Sequence, residues 1–163
     1  GLVLCLSLNF EAVVSRRLKP WVRDGFTIPP ATFTKRVNPS VAQIEGKFFV
    51  FGGYWGDVAE GLGSLEMYDP ALFSWTPLHT SAQGTPEPSP RLANGIASVQ
   101  NRIFIFGGRT GKGPCDKEIH VYDPTTNSWL GLGSQSGESP SPRCHPGMAG
   151  ADGKVFIFGG ETT

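Results

Sequence analysis

The chain has 163 residues, with 14 Lys+Arg balanced by 14 Asp+Glu, and this neutrality removes the electrostatic case for nonspecific nucleic-acid or anionic-membrane binding. Gly 22 and Pro 14 together reach nearly twice their usual share of roughly 12 per cent, which points to a turn-rich β protein rather than a helical bundle. Hydrophobic residues at 39%, with 11 Phe and 4 Trp, allow a sizeable core and argue against global disorder.

At the N-terminus the apolar run from Gly1 to Phe10 is too short to span a bilayer. It lacks a preceding basic segment and would serve as a signal peptide only if further residues come before it. Cys5, Cys115 and Cys144 are odd in number and irregular in spacing, which argues against a disulfide framework and makes a reducing, cytoplasmic compartment the expectation. Residues 1–35 conform poorly to the pattern of the rest. Trp21 stands fifteen residues before Arg36, against sixteen from Trp75 to Arg91 and fourteen from Trp129 to Arg143, so residues 1–35 read either as a flank or as the degenerate end of a preceding unit.

From residue 36 onward a repeat governs the chain. Phe-Gly-Gly occurs three times, supplying the pairs Gly52-Gly53, Gly107-Gly108 and Gly159-Gly160 at offsets of 55 and 52 residues. Tyr68-Asp69-Pro70 returns as Tyr122-Asp123-Pro124, and Trp75 as Trp129, each 54 residues on. Arg36, Arg91 and Arg143 each stand sixteen residues before the first Gly of their pair.

Each unit reads as four short strands. The first covers Ser40 to Ile44, with copies Gly95 to Val99 and Gly147 to Ala151. Small residues recur on one face of it (Ser40, Gly95, Gly147 and then Ala42, Ala97, Ala149), as expected where strands crowd near an axis. The second covers Phe48 to Phe51, Ile103 to Phe106 and Val155 to Phe158; it is apolar without alternation and is expected to be buried on both faces. Glu45-Gly46, Asn101-Arg102 and Asp152-Gly153 lie between these strands, and the Gly-containing pairs fit two-residue hairpin turns. The third strand, Leu65 to Tyr68 and Ile119 to Tyr122, ends at Asp-Pro, which stops the ladder; the fourth begins at Trp75 or Trp129. His120, alternating with Ile119 and Val121, is expected on the opposite side from them as a solvated or packed residue.

The order strand-Gly-Gly, Tyr-Asp-Pro, Trp resembles the kelch repeat, each copy of which forms one four-stranded blade of a β-propeller. The resemblance covers repeats 36–90 and 91–142 and a half repeat 143–163. It implies an all-β, kelch-type propeller segment of four-stranded antiparallel blades, about 2.5 to 3 of them. Pro88-Ser89-Pro90-Arg91 and Ser141-Pro142-Arg143-Cys144-His145 are similar to a Pro-x-x-Arg-x-x-His lead-in, although Ala93 and Asn38 stand where His145 aligns. Closed propellers take about four to eight blades. A segment of a longer propeller is therefore expected, closed by the remaining blades, with self-association of two chains into one ring as the second reading. An isolated chain is expected to expose apolar strand surface.

Strand order puts the connections from second to third strand and from fourth to the next first strand on one face. That face carries the long segments Tyr54 to Ser64, Arg109 to Glu118, His79 to Pro90 and Gly131 to Pro142, and loops on a rigid scaffold are where binding usually resides. Tyr54, Trp55, Asp57, Glu60, Arg109, Lys112, Asp116 and Lys117 are the candidate contacts with a protein partner, aromatic and Arg side chains making good anchors. The recurring Gly52, Gly53, Gly107, Gly108, Gly159, Gly160, Tyr68, Asp69, Trp75, Tyr122, Asp123 and Trp129 are read as structural, seating one blade on the next. The three Arg residues are expected to pair within their blades rather than form a ring for an acidic ligand.

Enzymatic chemistry has thin support. Cys115, Cys144 and His145 should emerge on the same face, which makes a metal cluster conceivable, but a fourth ligand is not apparent. The alternative to a scaffold is part of a kelch-type enzyme, galactose-oxidase-like or specifier-like, completed by further blades. Neither the Tyr and His ligands of the copper type nor the Glu, Asp and Cys spacing of the specifier type is visible. Phosphate loops and nucleophile elbows are also absent from the sequence. The expectation is thus a non-catalytic binding scaffold with no cofactor and no membrane span.

Overall fold

The computed structural model describes residues 34–56, 61–78, 87–132 and 137–162. These form ten strands: β1 (Ser40–Ile44), β2 (Lys47–Phe51), β3 (Leu65–Asp69), β4 (Ser74–Leu78), β5 (Gly95–Val99), β6 (Arg102–Phe106), β7 (Ile119–Asp123), β8 (Ser128–Leu130), β9 (Gly147–Ala151) and β10 (Lys154–Phe158). Two four-stranded meanders, β1-β2-β3-β4 and β5-β6-β7-β8, are followed by the two-stranded β9-β10. Every pairing is antiparallel, and the register repeats from unit to unit: Ser40 opposes Phe51, Gly95 opposes Phe106 and Gly147 opposes Phe158. Two complete four-stranded units and half of a third, all β, are what the repeat predicts.

One hairpin departs from the sequence reading. Val99 opposes Arg102, so the turn between β5 and β6 is Gln100-Asn101 rather than Asn101-Arg102. Gln100 and Asn101 both have positive φ, 48° and 58°, as do Glu45 and Gly46 in the first unit. Two consecutive positive φ values are the requirement of a tight primed turn, and Gln100 and Asn101 meet it without a glycine to mark the turn in the sequence.

The strands alternate sides at every residue. In the first blade one face therefore carries Ala42, Ile44, Phe49, Phe51 and Leu65, and it packs on Ile96, Ile103, Ile105, Tyr122 and Trp129 of the second blade in one buried cluster. Phe51, Ile103 and Ile105 are fully buried; at roughly 1.5–3 kcal/mol for each large apolar side chain, this contact dominates the seating of one blade on the next. Trp129 sits edge-on to Phe51, with ring centroids 5.9 Å apart, and Tyr122 is tilted against Phe49 at 6.3 Å. Tyr122 and Trp129 thus fill the gap between the first and second blades. Burial lifts the Tyr122 phenol to about 12, with the Asp123 charge adding to the effect, and its hydroxyl donates to Asn127 Oδ1 at 2.8 Å.

The inner strands touch directly. A Cβ on Gly95 would lie 2.6 Å from Met148 Sδ, and Ser40 Oγ donates to Asn94 O at 2.5 Å. Small residues at this aligned position permit that approach. Burial of the second strand on both faces holds only in part. Phe49, Val50 and Phe51 are buried, but Phe48 is 40% exposed, and on β10 Phe156 and Phe158 are 40% and 61% exposed. The β10 side chains that stand exposed are the aligned counterparts of Phe49 and Phe51, whose cover is supplied by the Tyr122 and Trp129 face.

Candidate interaction face

The connections after β2 and β6 leave from one end of the blades, and hydrogen bonds show how their described residues are held. Arg91 N donates to Leu62 O at 3.2 Å and Arg143 N to Asp116 O at 3.0 Å, so each β2–β3 or β6–β7 loop is pinned by the lead-in of the next blade. Gly53 N and Gly108 N donate to the carbonyls of Arg91 and Arg143 at 3.1 and 3.0 Å. Gly52 and Gly107 have φ of 70° and 67°. A Cβ at Gly52 would meet Arg91 O at 2.8 Å, and one at Gly107 would clash with Arg143 O, so both conformation and space demand glycine.

The sixteen-residue spacing from Arg to Gly also has a physical cause. Nη1 of Arg36, Arg91 and Arg143 donates to the carbonyl of Gly52, Gly107 and Gly159 at 3.2, 3.1 and 2.7 Å. Nε of each reaches the carbonyl two residues upstream, of Thr34, Ser89 and Ser141. Arg36 also pairs with the buried Glu66 carboxylate. Burial lowers the Arg36 pKa, and the Glu66 charge opposes that shift. Arg91 lies 3.5 Å from both Asp116 Oδ2 and Glu118 Oε2. These guanidiniums are internal braces, as the pairing reading expected, and Arg143, bonded to carbonyls and Ser141 Oγ, sits in the exposed third lead-in.

The described candidate residues, Tyr54, Trp55, Arg109, Lys112, Asp116 and Lys117, lie in the connections after β2 and β6 and differ in exposure. Trp55 is 50% exposed, with Lys35 Nζ 5.4 Å from its ring centroid, an attractive cation–π geometry. Lys112 and Lys117 are exposed. Tyr54 and Arg109 are half-buried at the ends of the second strands, paired through their backbones with Val37 and Leu92, and Arg109 Nε is buried without a hydrogen-bond partner. Asp116 is engaged within the molecule: its Oδ1 accepts from Lys117 N and Glu118 N while Oδ2 faces Arg91. Asp57 and Glu60 lie outside the described residues. Sequence reasoning missed Lys35 and the His145–Glu161 pair, Nδ1 to Oε1 3.4 Å, on the same face; Glu161 aligns with Arg109 and Tyr54, each following a Gly-Gly, which was the usable clue.

A covalent bond joins two of the loops on this face. Cys115 and Cys144 are joined by a disulfide, a single bond that the odd number and irregular spacing of the three cysteines did not foretell. Stacking of consecutive blades brings the two together despite a separation of 29 residues. The conceivable Cys, Cys, His metal cluster falls with it, because both sulfurs are bonded to each other; among the described residues no group of three or more His, Cys, Asp or Glu is placed to hold a metal ion. His120 packs edge-on to Trp129 at 6.4 Å and lies 3.2 Å from Glu118 Oε2. Burial, then the Arg91 charge, holds its pKa below the usual histidine value.

A family model for the KLHDC2/KLHL20/DRC7 Kelch-repeats domain matches residues 19–163. The chain belongs to the kelch-repeat family. It is similar to a Rho GTPase-activating protein gacHH of Dictyostelium discoideum (32% identical, covering 91% of this chain and 9% of that protein). It also resembles beta-scruin of Limulus polyphemus (28%, covering 99% and 16%) and the human Rab9 effector protein with kelch motifs (33%, covering 70% and 30%). The kelch chain thus spans less than a third of the length of each of these relatives. No described helix is long and apolar enough to cross a membrane.

Proposed function

We propose that this kelch segment is a non-catalytic scaffold that recognises a protein partner through its long-loop face. The observation that carries the reading is the contrast between the two ends of the blades. One end has tight two-residue turns, while the other presents Trp55, Arg109, Lys112 and Lys117 on loops that the next blade pins in place. Loops fixed in this way lose little entropy on binding, which favours affinity. The relatives support the same reading: a GTPase-activating protein, a scruin and a Rab9 effector carry different names yet share this stretch as a small part of their length. A shared recognition module accounts for that more simply than a shared catalytic site.

The test is affinity capture with the native sequence and with Trp55→Ala plus Arg109→Ala, after circular dichroism and thermal unfolding show that the fold is kept. Loss of one or more partners from the double variant is the expected result. An unchanged partner set would remove these residues from the site.

A further inference from the structure

We infer that the Cys115–Cys144 disulfide is a thiol-controlled clasp on the 109–118 loop, so that the oxidised and reduced chains present two different long-loop faces. The effect on partner binding rests on the function proposed above; the effect on the loop does not.

Comparison of the two blade junctions carries the argument. At the first, Leu62 N bonds to Gly53 O and Leu62 O accepts from Arg91 N; at the second, Asp116 N bonds to Gly108 O and Asp116 O accepts from Arg143 N. Leu62 and Asp116 are therefore equivalent, and Cys115 aligns with Gly61. The first junction carries these backbone bonds without a disulfide at the aligned position, with Gly61 close against the Arg91 backbone, where a Cβ would come within 2.8 Å. The second has the same bonds and the disulfide in addition. The covalent bond is thus surplus to the repeat's own closure, and breaking it leaves the blade contact intact.

What the bond adds is local. Cys115, Cys144 and Ala93 form a small buried cluster with Leu92 against it, separate from the main core between the blades. The loop tip before Cys115 is otherwise tied by Gly113 N to Thr110 O at 3.0 Å and Thr110 Oγ1 to Pro90 O at 3.0 Å. Breaking the bond frees the segment from Gly111 to Cys115, which carries Lys112, while Lys117 stays between Asp116 and Glu118, whose backbones keep their bonds to Gly108, Arg143 and Gly107. Cys144 is fully buried and Cys115 6% exposed, so a reagent reaches the sulfurs only when the loop opens, and exchange between the two forms is slow. Formation needs a small disulfide such as oxidised glutathione. The Cys115 thiolate attacks it and releases one glutathione thiolate; the Cys144 thiolate then attacks the mixed disulfide at the Cys115 sulfur and expels the second.

The whole chain, with Cys5→Ser to prevent exchange, is treated with oxidised glutathione or with dithiothreitol, and compared with Cys115→Ser plus Cys144→Ser. Thiol titration gives the redox state, and tryptic cleavage after Lys112 is timed against cleavage after Arg102 in β6. The oxidised chain should show no free thiol. Loop cleavage should be about tenfold faster in the reduced chain and in the serine variant, with the Arg102 rate unchanged, as for a local opening. Two free thiols after oxidation, equal loop rates, or a parallel rise at Arg102 would overturn the clasp. If the loop responds but partner capture does not, the clasp stands and the recognition reading loses this loop.

Discussion

Arg91 donates through Nη1 to the carbonyl of Gly107 at 3.1 Å in its own blade, while the Arg91 carbonyl accepts from Gly53 N of the preceding blade at 3.1 Å. One residue thereby braces the end of β6 and fastens a neighbour. The Arg91 side chain is only 1% exposed and faces Asp116 and Glu118, whereas Arg143 makes the corresponding bond to Gly159 from a half-buried position, without an acidic partner among the described residues.

Removing a buried charge that others depend on costs far more than removing a more exposed one. Arg91→Ala should lower unfolding stability by about 3–5 kcal/mol, leaving Asp116 and the Gly107 carbonyl without their brace, and Arg143→Ala by about 1 kcal/mol. Urea titration followed by Trp fluorescence measures both. Equal losses at the two sites would contradict this role for Arg91.

The Gly pair gives a second internal comparison. Gly107 and Gly159 share positive φ, 67° and 60°, but only Gly107 has Arg143 O where a Cβ would go; at Gly159 nothing lies within 4 Å. Gly159→Ala should cost about 1–2 kcal/mol, the left-handed penalty alone, and Gly107→Ala at least twice that. Chemical denaturation of the two variants decides it.

His120 predicts a pH dependence. Its pKa is lowered in the folded chain, by burial first and then by Arg91, so the unfolded chain binds more protons between that lowered value and the unperturbed value of about 6.5. The His120 contribution to stability is complete above pH about 6.5 and is lost as pH falls towards the folded pKa. Melting temperature should therefore drop less between pH 7 and pH 5.5 in His120→Gln than in the native sequence. A parallel drop in both would dissociate His120 from the effect.

Phe156 and Phe158 stack with parallel rings at 6.3 Å, both exposed on β10. An apolar pair of this kind promotes association. Phe156→Ser plus Phe158→Ser should shift the 163-residue chain towards monomer in sedimentation velocity, and an unaltered distribution would show that other surfaces drive self-association.

The strands were legible because hydrophobic pattern and repeat spacing agree at every level: Phe-Gly-Gly, Tyr-Asp-Pro and Trp all fall where the ladder needs them. The Gln100-Asn101 turn was not, since no glycine marks its positive φ. The disulfide was hidden for a different reason. Cys115 and Cys144 meet only because one blade's loop is covered by the next blade's lead-in, a contact that no local spacing encodes. For the face itself, sequence could name the loops but could not separate Trp55, half exposed with Lys35 against its ring, from Asp116, whose carboxylate is taken up by Lys117 N, Glu118 N and Arg91.

Hydrogen exchange of the chain with and without a captured partner tests the central claim most directly. Protection on binding should fall on Tyr54, Trp55 and residues 109–118 and spare the hairpin turns at Glu45-Gly46, Gln100-Asn101 and Asp152-Gly153. Protection concentrated on those turns, with the long loops exchanging as before, would place recognition on the opposite end of the blades and contradict the account.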